Sequence, residues 1–159
     1  MWQEIHNTLV SEFSDISDVT SFVTIVIRLL VAATLGGLLG FERQQQRKSA
    51  GIRTHMLVCM GAALFVLIPE QAGATINDIT RVLQGLVAGI GFLGAGAIIQ
   101  GSSQTETKGL TTAAGIWVTA AVGIAAGIGR ELTAVLSTLV ALFILSVIPR
   151  IYLLFTKSA

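Results

Sequence analysis

Five apolar stretches, each close to the length that crosses a lipid bilayer, constrain this chain more than any other feature. They run from Phe22 to Gly40, from about Thr54 to Ile68, from about Arg81 to Ile99, from Leu110 to Gly129 and from Leu132 to about Ile148. An apolar tail from Ile151 to Phe155 follows Pro149. A hydrocarbon core of about 30 Å takes roughly 20 helical residues to cross. Lipid offers the backbone no water, so a spanning segment is a helix or part of a closed barrel. A barrel needs segments of alternating polarity, and these runs do not alternate. The expected fold is therefore an all-α membrane protein, a bundle of about five transmembrane helices. Composition agrees: 53% of the 159 residues are apolar and 12% are charged, about half the charged share of a soluble domain. So few charges cannot clothe a water-soluble globule. Cys59 is the single cysteine, which excludes an intrachain disulfide.

The first 21 residues carry Glu4, Glu12, Asp15 and Asp18 and no Lys or Arg, unlike a signal peptide. Trp2, Ile5, Leu9, Phe13 and Ile16 recur at helical spacing, which predicts an amphipathic external segment over 1–21, lying on the membrane surface. The membrane domain is expected over 22–155, and 156–159 form a short cytoplasmic tail. Basic residues collect on the cytoplasmic side of a membrane protein. Arg43, Arg47, Lys48 and Arg53 lie between the first two spans, and five spans place Lys108, Arg150 and Lys157 on the same side. Arg81 and Arg130 fall opposite. The expected orientation is N-out and C-in.

Eleven of the 17 glycines fall between Gly85 and Gly129. Glycine lets membrane helices approach closely, in place of the hydrophobic drive that lipid removes. Gly36 with Gly40, Gly85 with Gly89, and Gly123 with Gly127 form three GxxxG pairs. Gly89, Gly91, Gly94 and Gly96 crowd into the third span, either packing helices or unwinding to bare carbonyls. Gly89-Ile-Gly91-Phe-Leu-Gly94 also matches a dinucleotide fingerprint, but lies inside a lipid-length run with no acid at the required offset. No phosphate-binding GK[ST] loop, GxSxG or HExxH is present, and His6 and His55 lie far apart in sequence. The expectation is a protein that is not an enzyme, with no cofactor, no metal ligand set and no nucleic-acid partner.

Polar residues at membrane depth are the stronger lead. Arg28 lies about two turns into the first span and reads as an arginine snorkelling to the outer headgroups, or else as a cation paired with Asp78 or another outer carboxylate. Asp78 and Arg81 precede the third span. At the inner ends, Glu42 and Arg43, then Arg53, Thr54 and His55, then Lys108, Thr111 and Thr112 converge on one face. Glu42 is the expected partner of Arg53 or Lys108. Thr111 and Thr112 are expected to cap the fourth span. The cluster is either a ring of anchoring salt bridges and caps or a docking or gating site.

At these residues the sequence resembles the MgtC/SapB family of bacterial membrane proteins. Gly40-x-Glu42-Arg43, Ala50-Gly51-Ile52-Arg53-Thr54-His55, Gly89-Ile-Gly91-Phe-Leu-Gly94-Ala-Gly96 and Gly109-Leu-Thr111-Thr112-Ala-Ala114 occur in the family's order, followed by Trp117 and Gly123. Asp78 and Arg81 resemble the family's Asp-x-x-Arg. Ile52 stands where the family often has leucine. The resemblance implies a multi-span protein of the bacterial inner membrane, linked to magnesium limitation and, in some members, to survival inside host cells. It further implies a regulator of another membrane protein, such as the F-type ATP synthase, a transporter or a sensor. Longer members carry a soluble C-terminal domain, so the kinship expected for a chain ending at Ala159 is with the short, membrane-only members.

Two functions follow. The first is a regulator that binds another membrane protein through glycine-lined helix faces; association into a homo-oligomer is left open beside it. The alternative is direct transport of Mg2+ or another cation. Magnesium gives up its water reluctantly and is held by carboxylates. Glu42, Glu70, Asp78, Glu106 and Glu131 all fall at span ends or in loops, which favours the regulator.

Overall fold

The structure, a computed structural model, describes residues 1–12, 14, 16, 18–100 and 107–156. It contains α1 (Trp2–Glu12), α2 (Val19–Gln45), α3 (Ile52–Gln71), α4 (Ile76–Gly96), β1 (Ile99–Gln100), β2 (Thr107–Lys108), α5 (Leu110–Gly127) and α6 (Glu131–Thr156). Helices α2 to α6 are the five long and apolar enough to cross a membrane. The expected all-α five-helix architecture is present.

Each boundary has a local cause. Asp18 caps α2, its carboxylate accepting from the Ser21 backbone N–H at 2.7 Å and from the Ser21 hydroxyl at 3.1 Å. The helix therefore starts three residues before the expected Phe22. Of the amphipathic pattern, Trp2, Ile5 and Leu9 lie on α1, which has no buried residue, Ile16 lies beyond that helix, and Phe13 falls outside the described residues. Helix α3 begins after Gly51, which has no capping side chain. Instead, Gln44 Oε1 of α2 accepts from the Ile52 N–H at 3.3 Å. The helix continues through Pro69 to Gln71, which lengthens the span the sequence leaves short. Thr75 and Asp78 form a reciprocal capping box that starts α4 at Ile76, five residues before Arg81. This helix stays regular through the glycine run to Gly96. Pro149 lies within α6 and does not end it at Ile148. A proline removes one backbone bond, which membrane helices tolerate.

Between α4 and α5 the chain makes a short antiparallel pair, Ile99 opposite Lys108 and Gln100 opposite Thr107, which sequence periodicity does not announce. Lys108 is therefore a strand residue. Gly109 follows at φ +97°, where a side chain would strike the Ala97 carbonyl. Glu106 and Lys157, part of the expected inner-face charge, lie outside the described residues.

Helices α2, α3 and α5 form the centre, while α4 and α6 turn most of their surface outward. The core is made of small residues, among them Ala32, Cys59, Ala63, Ala126 and Ala134. A Cβ at Gly36 would lie 2.6 Å from the His55 carbonyl oxygen, and one at Gly40 would lie 2.6 Å from Ile52 Cα. One at Gly123 would strike the Cys59 carbonyl, and one at Gly127 would lie 2.7 Å from the Ala63 carbonyl oxygen. These four glycines set the spacing of α2, α3 and α5. Gly94 is in ordinary contact with Ala113. Among the described residues, nothing lies within 4 Å of a notional Cβ on Gly85, Gly89, Gly91 or Gly96, so the packing expected of them is not seen there.

Candidate functional site

Polar groups gather at the two ends of the central helices. At the end where α2 stops and α3 begins, Glu42, Arg43 and His55 are all buried. Arg43 Nη1 lies 3.4 Å from Glu42 Oε2, and both side chains are more than nine-tenths enclosed. Glu42 therefore pairs with its own neighbour and not with Arg53 or Lys108. Consecutive helical residues point in divergent directions, so the pair makes one long contact. Among the described residues, Glu42 Oε1, Arg43 Nε and Arg43 Nη2 have no hydrogen-bond partner. His55 Nδ1 lies 3.0 Å from the Gly51 carbonyl oxygen one turn back, and its Nε2 has no partner.

Other expected members lie around this cluster without joining it. Arg53 and Thr111 are exposed, Thr54 is half-buried and Thr112 is buried. The N-cap of α5 is Gly109, with no side-chain cap, so neither threonine caps the helix as expected. Gly109, at positive φ, holds the N-cap position two residues before Thr111. A niche of about 150 Å3 opens beside His55, lined also by Leu39, Thr111, Gly115, Ile144 and Leu145. Gly115 was not anticipated. It stands against His55, where a Cβ would lie 3.7 Å from Nε2.

At the opposite end, Arg28 is largely buried and reaches inward, not to the headgroups. Its Nη1 donates to Glu70 Oε2 at 2.6 Å and to the Gly127 carbonyl at 2.8 Å. Its guanidinium also lies against Gly129, at φ +71°, where a Cβ would sit 2.6 Å from Nη2. Arg28 does not snorkel; the alternative reading of a buried, carboxylate-paired cation holds, with Glu70 and not Asp78 as the carboxylate. Asp78 instead accepts from the Thr75 N–H at 3.1 Å and from its hydroxyl at 2.6 Å. Arg81 Nη1 lies 4.0 Å from Asp78 Oδ1, both side chains exposed. Glu70 was assigned only to a span end. The extra turn of α3 past Ile68 brings it alongside Arg28.

A third feature is apolar. Helices α3 and α4 diverge to leave a cleft of about 580 Å3, lined by Leu57, Gly61, Phe65, Gly85, Gly89 and Leu93 among others. Of the α4 glycines without a close neighbour, Gly85 and Gly89 thus line this cleft.

The sequence matches the model of the MgtC family over residues 29–153. SrpB of Synechococcus elongatus is 44% identical over 135 residues, covering 78% of this chain and 74% of that protein. YhiD of Escherichia coli K12 is 40% identical over 129 residues, 77% of this chain and 59% of YhiD. MgtC of Salmonella typhimurium LT2 is 38% identical over 122 residues, 74% of this chain and 49% of MgtC. The chain thus spans about half to three-fifths of the latter two. No solved structure matches it. With five helices able to span a bilayer and a match that takes in all five, this chain is a multi-pass membrane protein that belongs to the MgtC family.

Proposed function

We propose that this protein acts in magnesium homeostasis in the bacterial cytoplasmic membrane, by binding and regulating another membrane protein. One observation carries the reading. The glycines of α2 and α5 are used up inside the bundle, whereas Gly85, Gly89, Gly91 and Gly96 of α4 face open space. Glycine at a lipid-facing position gives lipid little to pack against and gives a second helix close backbone contact. Gly85 and Gly89 lie in the α3–α4 cleft among apolar side chains. The magnesium connection is drawn from a relative, which bears the name "Putative magnesium transporter YhiD". N-out and C-in is the orientation supported by Arg47, Lys48, Arg53, Lys108 and Arg150 at one end of the bundle. The Glu42–Arg43–His55 cluster then lies near the cytoplasmic surface. Transport is the weaker reading, since Glu42, Glu70, Asp78 and Glu131 all stand at helix ends.

The test is a deletion strain grown across external magnesium concentrations and complemented in turn by wild type and by Gly89→Leu. A photo-crosslinker at position 89 reads contacts in native membranes. Wild type should restore growth at low magnesium, and Gly89→Leu should insert but fail to restore it. Position 89 should form one discrete adduct with a second membrane protein, the same at every preparation. Adducts with lipid alone, together with magnesium flux into proteoliposomes holding only the purified chain, would transfer the assignment to transport.

A further inference from the structure

Helices α4 and α6 both turn most of their surface outward, yet they present different chemistry. Leu132, Leu136, Leu139 and Phe143 share one side of α6, and each is more than half exposed. Large apolar side chains of this kind suit hydrocarbon. On α4, Asn77, Arg81, Gln84, Ala88, Gly91 and Ala95 recur at spacings of 4, 3, 4, 3 and 4, and all six are exposed. Such spacing places them in one row along the helix. The row holds polar and small residues and no large apolar side chain.

Gln84 decides what the row is for. It stands eight residues after Ile76 and twelve before Gly96, about 12 Å from one helix end and about 18 Å from the other. Its amide therefore lies within the hydrocarbon layer, not at its rim. Thr119 and Thr138, also inside spans, each donate to a carbonyl of their own helix. Gln84 makes no such bond, and its side chain has no hydrogen-bond partner among the described residues. Water would satisfy an exposed amide. Lipid leaves it as dry as a core group, with its donors and acceptor unmet.

The chemistry of the row matches a second copy of itself. A primary amide both donates and accepts, so two Gln84 side chains at one depth satisfy each other across a twofold axis. Alternating steps of 4 and 3 are the repeat of two parallel helices that cross left-handedly. Two copies inserted in one orientation run parallel and meet in register. Ala88, Gly91 and Ala95 let the backbones stay close beyond the amide. Arg81 brings no net charge to the contact, since Asp78 Oδ1 lies 4.0 Å from its Nη1. We infer that α4 joins two copies of this chain along the row from Asn77 to Ala95, with the Gln84 amides hydrogen-bonded to each other. Val82, Leu86 and Leu93, which line the α3–α4 cleft, lie on the other side of the helix. The dimer thus leaves that cleft open and stands whether or not it binds another protein.

The experiment has two arms. In native membranes, two differently tagged copies are expressed together, one with a photo-crosslinker at position 88. The adduct should carry both tags, a readout that depends on no destabilising variant. The same probe at position 139 of α6 should give no such adduct. In neutral detergent, energy transfer between labelled copies of the purified chain reads the dissociation constant. Gln84→Leu should raise it about tenfold, and Gln84→Asn, which keeps the amide, should raise it less. Gly91→Leu should also raise it while keeping the wild-type circular dichroism and melting curve, since nothing lies within 4 Å of a Cβ there among the described residues. This arm holds only the purified chain, so it is independent of whether position 89 finds a different protein in the membrane. An adduct from position 88 that carries one tag, with lipid or with a different protein, overturns the proposal. So does a dissociation constant that neither Gln84→Leu nor Gly91→Leu changes.

Discussion

Arg28 and Glu70, 42 positions apart, form an ion pair at 2.6 Å that joins α2 to the last turn of α3. The same Arg28 nitrogen donates to the Gly127 carbonyl, one of the free acceptors at the end of α5. One guanidinium thus ties three helices together.

That arrangement makes the two partners unequal. Glu70 is substantially exposed, so its loss falls in the range of a screened surface pair, below about 1 kcal/mol. Arg28→Met also strips the Gly127 carbonyl of its donor, adding about 1 kcal/mol or more. Unfolding in mixed micelles should rank Arg28→Met as clearly more destabilising than Glu70→Gln, and the reverse order would contradict the clamp.

The buried Glu42–Arg43 pair should respond in the opposite manner to its composition. Glu42→Gln or Arg43→Met alone leaves an uncompensated buried charge, a loss of about 3–5 kcal/mol. The double variant should recover much of that loss, since two neutral side chains need no partner. A double-mutant cycle measures it, and strictly additive losses would show that the two side chains do not depend on each other.

Glycines in contact and glycines in the open should separate cleanly. Gly123→Ala drives a methyl group into the Cys59 carbonyl, an overpacking loss of about 1–3 kcal/mol or more. Gly89→Leu should change the stability of the isolated chain by no more than about 0.5 kcal/mol. Equal melting behaviour of the two variants in detergent would show that the glycines do not divide as the structure divides them.

Acid should loosen the start of α2. Hydrogen bonds from Ser21 hold the Asp18 carboxyl below its ordinary value of 3.8. A depressed carboxyl contributes stability above the unfolded value and loses it as pH falls through the folded one. Amide exchange at Ser21 and Phe22, corrected for intrinsic pH dependence, should speed up below about pH 4. Asp18→Asn, which keeps a cap without the charge, should abolish that pH dependence. An unchanged profile in Asp18→Asn would place the acid-sensitive group elsewhere.

The number of spans, their helical nature and the clustering of basic residues at one end were legible in the chain, because lipid imposes a length and a polarity on every crossing segment. So was the membership of Glu42, Arg43 and His55 in one region, because helix ends adjacent in sequence lie adjacent in space. Tertiary structure alone decided who pairs with whom. Glu70 reaches Arg28 only because α3 runs on through Pro69, and composition sees a proline there before it sees a partner. Glu42 pairs with its chain neighbour Arg43, which helical spacing alone does not suggest, and not with a basic residue of another element. The glycine pairs look alike in sequence, yet Gly123 touches a carbonyl and Gly89 touches nothing. A GxxxG spacing permits close contact, and only the placement of a second helix determines whether the contact is made.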